Sequence, residues 1–470
     1  MKKLLGTTLA LAMFVPAGAN AELLKNLKVS GNLDIQTTSA RNESDFVTRQ
    51  AVPGVAPTNN DRIGAATTRV IVKLDWDILD DVHSRITLSK GASNNAASAR
   101  AYGTGSQDLN AVQSAVFVQE ANVKIDKVMG LLDVTAGRQF YGEEGDLVVY
   151  YGPRDNYGLT IQALDIFRAD WNGEHMSVTG IAGKTAGGTA GLNPADTDLR
   201  GVTVSCKMHE MVKPSLYVYN QVTHRVGALG SQAGKNDNLW VAGVKAKVTT
   251  GGLSASLELA KNFGENRSGQ TTNGALDPSF ANYKGYAIQA KAGYKLDMGG
   301  VGAINPWGEY GLGTGDSNFN SNGNNTFTSI ATDYRPGGIY GRFDNGAALV
   351  LGAAGGGATA FSGASNGLSN RIIYGAGVKV TPSAVSKLTA GLAFYRYAFH
   401  RVAPNVGGSK TSRNIGSEID VTGEWKHSEN VSLKATAGTF RPGAHVADLK
   451  APGAALNPVV MLAGDVSIKF

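Results

Sequence analysis

Histidine and cysteine, the side chains that most often carry catalysis or bind metals, are few and scattered in this chain. The seven histidines fall among predicted turns, loops and strand ends, and none lies in an HExxH motif. They are His83, His175, His209, His224, His400, His427 and His445. The single cysteine, Cys206, can form no disulfide within the chain and belongs to no cluster of metal ligands. The sequence therefore predicts neither an enzyme nor a bound metal or cofactor.

Charged residues recur at every second position of many segments, opposite runs of apolar residues. Such an alternation gives a β-strand one charged face and one apolar face. The candidate positions on the charged face are Arg69, Lys73, Arg85, Lys207, Lys245, Lys247, Lys291, Lys295, Glu309, Glu418, Asp420 and Glu424. Lys379 and Lys434 follow the same alternation. Along a water-filled wall, rows of fixed charges attract or repel a passing ion.

The elements that must position these side chains are strands. From Leu27 onward the sequence predicts about eighteen strands of about ten to fourteen residues, joined alternately by short turns and long polar loops. Asn172-Gly173 is one favoured two-residue turn. An even number of antiparallel strands closes into a barrel with both chain ends on the periplasmic side. We therefore predict an all-β transmembrane antiparallel β-barrel, with short periplasmic turns, long extracellular loops and a water-filled lumen.

The charges are unevenly distributed over these strands. Strands eight, ten and twelve contribute lysines, whereas strand sixteen contributes Glu418, Asp420 and Glu424. Opposed basic and acidic walls would set a transverse field that admits small polar or zwitterionic solutes, with a slight preference for anions. Alternatively, these are ordinary solvated residues that neutralise one another across neighbouring strands.

The N-terminus predicts export. Lys2 and Lys3 precede a short apolar run, and small residues ending at Ala21 form a cleavage site, so residues 1–21 are predicted to be a signal peptide. No other segment is long and apolar enough for a membrane helix. Removing the two lysines lowers the net charge from +6 to +4, which is mild for a nucleic-acid partner. Residues 22–470 are thus predicted to form the barrel, in a bacterial outer membrane.

The chain ends on Phe470 after a segment, residues 459–470, in which apolar and polar positions alternate. This segment resembles the closing strand of outer-membrane β-barrels, and the resemblance implies that Phe470 is the signal read by the barrel-assembly machinery. An edge strand of a soluble sheet is the alternative reading of this stretch alone. A long connection, residues 315–368, interrupts the strand pattern and is expected to fold into the lumen or to cap its mouth.

Two short motifs resemble the alginate-export and related substrate-selective porin families, whose barrels have eighteen strands. The matching residues are Gly137, Arg138 and Gln139, then Asp165, Phe167 and Arg168, and later residues 334–337 with Gly341. The resemblance implies substrate contacts for Arg138, Asp165 and Arg168. Strict alternation points Arg138 toward lipid, so such a contact requires a β-bulge near Gly137. Otherwise Arg138 would have a structural role, bonding loop carbonyls.

We therefore expect a Gram-negative outer-membrane porin that conducts small hydrophilic solutes by passive diffusion, with a slight anion preference. Its partners would be outer-membrane lipid, the barrel-assembly machinery and small polar or anionic solutes. Two alternatives remain. One is an exporter of an anionic polysaccharide, although the lysine-rich lumen with an acidic side departs from that family's arginine-rich path. The other is a surface or adhesin barrel with a plugged lumen. Monomeric and oligomeric forms are both compatible with the sequence.

Overall fold

The computed structural model describes most of the chain after the predicted signal peptide. The described residues are 26–42, 46, 62–90, 116–186, 196–226, 235–266, 271–272, 275–276, 281–316, 323–343, 367–402, 412–449 and 456–470. The predicted signal peptide, residues 1–21, lies outside them, as does part of the long connection 315–368.

Within the described residues, eighteen antiparallel strands form one closed barrel, and the predicted fold class is confirmed. We number them β1 (Leu27–Arg41), β2 (Arg62–Leu79), β3 (Val82–Lys90), β4 (Phe117–Val128), β5 (Leu132–Gln139), β6 (Leu164–Asn172), β7 (Met176–Ala186), β8 (Thr197–Cys206), β9 (Val212–Val226), β10 (Lys235–Thr250), β11 (Leu253–Asn266), β12 (Tyr286–Tyr294), β13 (Gly302–Gly313), β14 (Arg371–Pro382), β15 (Leu388–Phe399), β16 (Asn414–Lys426), β17 (Val431–Pro442) and β18 (Val459–Lys469). Each strand pairs with the next in sequence, and β18 pairs with β1 to close the barrel.

A few short elements lie between the barrel strands. Thr271–Thr272 pairs with Ala275–Leu276, and Ala281–Tyr283 pairs in parallel with Gly323–Asn324. One short helix, α1 (Ala444–Leu449), precedes β18. No helix in the described part of the chain is long and apolar enough to cross a membrane.

The alternation of side chains along the strands explains the barrel. Val29, Leu216 and Leu392 belong to an exposed apolar outer face, whereas their sequence neighbours turn inward. An outward apolar band and a polar interior are the arrangement that a lipid bilayer requires of a barrel. Closure pairs the backbone groups of both edge strands, which lipid would leave unsatisfied.

Strand β6 begins later than the alternation predicts. The sequence predicted it from Leu159, but in the structure it starts at Leu164. Ile161 instead forms an isolated bridge with Pro153, so these residues belong to a loop that folds back on itself. Tertiary contacts inside the lumen therefore override the local pattern at this point.

Gly31 allows the barrel seam to close tightly. Its N–H donates to the Phe470 carbonyl (2.8 Å), and the Phe470 N–H donates to the Gly31 carbonyl (3.0 Å). A Cβ at Gly31 would clash with the Ile71 carbonyl oxygen and come within 2.8 Å of the Phe470 ring. Glycine is thus required where β1, β2 and the C-terminus meet.

Gly31→Ala is therefore expected to lower the free energy of unfolding by roughly 1 to 3 kcal/mol, the usual cost of overpacking. The matched control is Gly64→Ala on β2, where an added Cβ meets nothing within 4 Å. Denaturant unfolding of the refolded barrels in detergent measures the difference. Equal stability of the two variants would contradict this account of the seam.

Candidate functional site: the lumen and its two inserted segments

Residues 140–163, here called the early insert, fold into the lumen against the inner wall. Leu147, Val148 and Val149 are fully buried and pack in one cluster with Leu199 of β8 and Val241 of β10. The wall residues in this cluster face inward, because their sequence neighbours form the exposed outer face. The early insert therefore fills the side of the lumen next to β5–β10.

Arg69 of β2 ties the early insert to the opposite wall. Its buried guanidinium donates to the carbonyls of Arg154 (2.9 Å) and Leu159 (3.2 Å). The same group is bonded to Asp34 of β1 at 2.8 Å, which compensates its charge. Arg69 is thus a structural anchor, with one guanidinium nitrogen directed at the backbone of the early insert and the other two at Asp34.

Lys245 and Lys247 of β10 are also anchors. Lys245 bonds Glu143 (3.0 Å) and Asp146, and Lys247 bonds Glu143. The hydrogen bond from Lys247, reinforced by Lys245, lowers the pKa of Glu143 to about 2. This tether therefore stays charged at any pH well above 2, and it is lost only as the pH falls toward that value.

Residues 323–343, here called the late insert, also enter the lumen and pack on the early insert. The Tyr150 N–H donates to the Ala331 carbonyl (2.7 Å), and the Ala331 N–H donates to the Val148 carbonyl (2.9 Å). These bonds form a short parallel bridge between the two inserts. The inserts therefore act as one body across the barrel.

Two carboxylates of β16 hold the late insert through its backbone. Glu418 accepts hydrogen bonds from the N–H groups of Ile339 (2.7 Å) and Tyr340 (3.0 Å). Asp420 accepts one from the Gly338 N–H at 2.8 Å. Gly337, at φ +86°, brings the chain close to Glu418, where a Cβ would clash with the carboxylate. We call this arrangement the carboxylate latch.

Arg342 completes the attachment of the inserts. Its buried guanidinium bonds Asp155 of the early insert (2.7 Å) and Asp465 of β18 (3.1 Å). It also lies over the Tyr157 ring, 4.5 Å from the centroid. One arginine therefore joins both inserts to the strand that closes the barrel.

Beside the inserts, two recesses of about 840 and 680 Å³ remain open. Both are lined by Glu144, Asp155 and Lys434, so they lie side by side at these three residues. Glu144 and Asp155 belong to the early insert, and Lys434 belongs to β17. We call the two neighbouring recesses the passage.

The passage is lined by lysines that the inserts leave uncompensated. Lys73, Lys379 and Lys434 form no salt bridge with any residue that the structure describes. Glu144 and Glu424 likewise have no ion-pair partner in the described part of the chain. Fixed charges without partners act on ions in the water beside them.

The predicted pore residues thus fall into different groups. Arg69, Lys245, Lys247, Glu418 and Asp420 hold the inserts. Lys73, Glu424 and the ion pair of Lys291 with Glu309 (3.2 Å) line the passage. The rest are Arg85, paired with Asp75 (2.6 Å), and Lys207 and Lys295, exposed beyond the ends of β8 and β12. Most of the charges predicted to form opposed basic and acidic walls therefore bind the inserts instead of facing the water of the lumen.

Glu144 and Asp155 were not predicted, because strand alternation says nothing about a loop. The acidic pair Glu143-Glu144, directly after the Gly-Arg-Gln motif, is the only local signal that could have found them.

The bulge required to turn Arg138 inward is absent. The β4–β5 register runs without a shift through Gly137, and Arg138 lies directly opposite Asp165. The two form a 2.8 Å ion pair on the outer face, which they share with the exposed ring of Phe167. Arg168 faces inward and bonds Asp170 at 2.7 Å. The substrate contacts implied for Arg138 and Asp165 are therefore wrong, because these side chains lie outside the lumen.

No family model matches the sequence, and no curated protein matches it. Solved structures with the same fold include Pseudomonas aeruginosa OccK9 (OpdG), with a TM-score of 0.53 at 12% identity, covering 95% of this chain and 100% of that one. Acinetobacter baumannii OccAB2 gives 0.53 at 11%, covering 94% and 98%. Pseudomonas aeruginosa OpdQ gives 0.52 at 11%, covering 96% and 99%.

These similar structures are outer-membrane porins. At such low identity the likeness concerns the fold, and the chain has the closed eighteen-stranded barrel of that class. This fold is the one expected of the predicted outer-membrane location. The resemblance to the alginate-export family is not supported, since the similar structures belong to the Occ and Opd porins.

Proposed function

We propose that this chain is a porin, which lets small hydrophilic solutes diffuse across the outer membrane with a preference for anions. The observation that carries the proposal is the passage, in which two water-accessible recesses lie side by side at Glu144, Asp155 and Lys434. A lumen plugged for a purely structural role would instead be filled by packed side chains, without charged side chains in contact with water.

The constriction in this proposal is formed by the two inserts. The early insert covers the β5–β10 side of the lumen, and the late insert, part of the long connection 315–368, lies against β16. Solutes would be filtered by size in the space that remains beside β12–β18, β1 and β2. The late insert thereby takes the constricting role proposed for the long connection.

The anion preference follows from the balance of charge in the passage. Lys73, Lys379, Lys434 and Lys469 face it without a salt bridge to any described residue, whereas Asp155 shares its charge with Arg342. Glu144, Asp420 and Glu424 are the negative groups that line it without a salt bridge in the same described part of the chain. Because the lysines outnumber them, an anion gains more than a cation does, but the margin is small.

Liposome swelling tests the proposal with pairs of solutes matched in size and opposite in charge. We expect uncharged solutes below the size limit to enter, anions to enter faster than matched cations, and large solutes to be excluded. A folded barrel that admits none of them would overturn the proposal and leave a plugged surface protein.

Acidification is expected to strengthen the anion preference. Burial in the lumen, with Asp333 and Asp155 close by, raises the pKa of Glu144 above its ordinary value. An ordinary glutamate has a pKa of about 4.3, so Glu144 loses its negative charge at a higher pH than that. The reversal potential under a salt gradient should move in the anion direction as the pH is lowered from 7 and Glu144 becomes protonated. Glu144→Gln should lack this change, and an identical pH response in that variant would contradict the assignment.

We also propose that Phe470 is the assembly signal. Its ring is exposed on the outer face beside Gly31, at the periplasmic end of the seam. Phe470→Ser should lower the yield of folded barrel in cells more than it lowers refolding in detergent, where no assembly machinery acts. Equal losses in both settings would indicate a stability effect instead.

A further inference from the structure

The outer face of β5–β9 carries charged and polar side chains where a lipid-facing wall should be apolar. We call this surface the polar outer patch; it comprises Arg138, Asp165, Lys184, Asp198, Arg200, Asn220 and His224. The exposed apolar side chains of Phe167, Val202 and Val218 lie on the same outer face as these residues.

The patch shortens the apolar band on this side of the barrel. On β8, only Cys206, Val204 and Val202 lie between the periplasmic end and Arg200. On β14, six strands further around the barrel, the outward positions from Val380 to Ile372 are all apolar. Each outward position adds about 5 Å of height on a tilted strand, which gives roughly 15 Å on β8 and 25 Å on β14.

A bilayer requires an apolar band about 25 Å tall. The β14 wall meets this requirement, and the β5–β9 wall falls short of it. Its polar side chains would then face acyl chains, where charged groups are strongly disfavoured. A short hydrophobic wall can be accommodated by thinning the bilayer or by association with another protein.

The charges of the patch alternate in sign and are held in fixed positions. Arg138 pairs with Asp165 (2.8 Å), and Lys184 pairs with Asp198 (3.0 Å), which also contacts His224 (2.9 Å). Arg200 donates to Asn220 at 2.8 Å. A groove of about 990 Å³ is lined by the patch residues Lys184, Asp198, Arg200, Asn220 and His224. Because both signs are present in nearly equal number, the patch is complementary to a second copy of itself displaced by one strand, and it is a poor match for a purely anionic headgroup.

We propose that the polar outer patch is the contact surface between copies of this chain in the membrane. Two parallel barrels touch along a narrow line, but the patch is five strands wide. One neighbouring barrel would therefore leave part of the patch uncovered. In a closed ring, of which a trimer is the smallest, each barrel contacts two others and both contacts can lie within this face. The walls of β10–β18 and β1–β4, where outward charges such as Lys261 of β11 and Arg396 of β15 stand apart from one another, then face lipid.

Cysteine crosslinking in intact outer membranes tests the proposal before any detergent is added. In a Cys206→Ser background, Val202→Cys lies within the patch, and Leu392→Cys on β15 is the matched control. Both side chains are outward, with exposed fractions of 48% and 51%. Each lies four residues from the periplasmic end of its strand. A short bismaleimide should link copies through position 202 and leave position 392 monomeric. Linkage at neither position, or at both equally, would overturn the proposal.

A bulky side chain gives an independent test. Ala182 lies at the centre of the patch, between Phe167 and Arg200 in the strand register. Ala182→Trp should convert the oligomer to monomers in native mass spectrometry, whereas Ala390→Trp, outward on β15, should leave it intact. Tryptophan is tolerated on the outer wall of a barrel, so both variants are expected to fold. A monomeric wild-type protein, or an oligomer that Ala182→Trp leaves intact, would contradict the assignment.

Discussion

Lys434→Glu is expected to convert the channel from a mild anion preference to cation selectivity. The change puts a third carboxylate beside Glu144 and Asp155, so the three residues that line both recesses would all be acidic. Two unit charges 4 Å apart interact by about 1 kcal/mol in water and about 4 kcal/mol near a protein surface. The ratio of cation to anion permeability should therefore rise roughly tenfold or more.

Two control variants show whether the effect comes from the charge at position 434. Lys434→Gln removes the charge without reversing it, so it should produce an intermediate reversal potential. Lys295→Glu makes the same change beyond the end of β12, where Lys295 is exposed, lines neither recess, and charges are screened over about 8 to 10 Å. Its effect should be small. If Lys295→Glu changes the reversal potential as much as Lys434→Glu does, the selectivity filter does not lie at Lys434.

Glu418→Gln is expected to release the late insert and to give a larger, noisier conductance. The carboxylate accepts from two backbone N–H groups and from the Tyr397 hydroxyl. An amide of the same shape keeps one oxygen and turns an NH₂ group toward these donors, so at least one bond is lost. Hydrogen bonds to charged groups contribute about 1.5 to 3 kcal/mol each, so the released population should increase roughly tenfold to a hundredfold.

Glu424→Gln is the matched control for the latch. It lies on the same strand and lines the passage, and it makes no salt bridge among the described residues. It should alter selectivity slightly and leave the noise of the open channel unchanged. Unchanged conductance and noise in Glu418→Gln would mean that the latch does not hold the insert in place.

The barrel was predictable because its pattern is local. Alternating residues mark each strand, and the difference between short turns and long loops fixes which end of each strand faces the periplasm. Strict alternation also predicts that Arg138 faces outward, as it does in the structure. Only the resemblance to the alginate-export family suggested that it contacts substrate. Periodicity was therefore the better guide at this residue than the resemblance.

The inserts were not predictable from local sequence. The bridge between Val149 and Ala331 joins residues far apart in the chain, and neither segment has a period that requires the other. The same limit explains why Lys245 and Glu418 were predicted as pore charges. Alternation places a side chain on the lumen wall, but whether it meets water or a loop depends on where distant segments fold.

The polar outer patch has a similar origin. Lys184 and Arg200 end the apolar alternation of their strands early, which is visible in the sequence only once the strand register across the wall is known. A single strand with a charge near its end is unremarkable. Five neighbouring strands with the same early change indicate a surface that does not face lipid.

The most direct test of the proposed porin is the conductance of the refolded mature barrel in a planar bilayer, with the reversal potential recorded under a salt gradient. The proposed porin should show steady single-channel conductance and a reversal potential on the anion side, arising from Lys73, Lys379 and Lys434 along the passage. A correctly folded barrel that conducts no ions would contradict it, because the two recesses would then not form a continuous route.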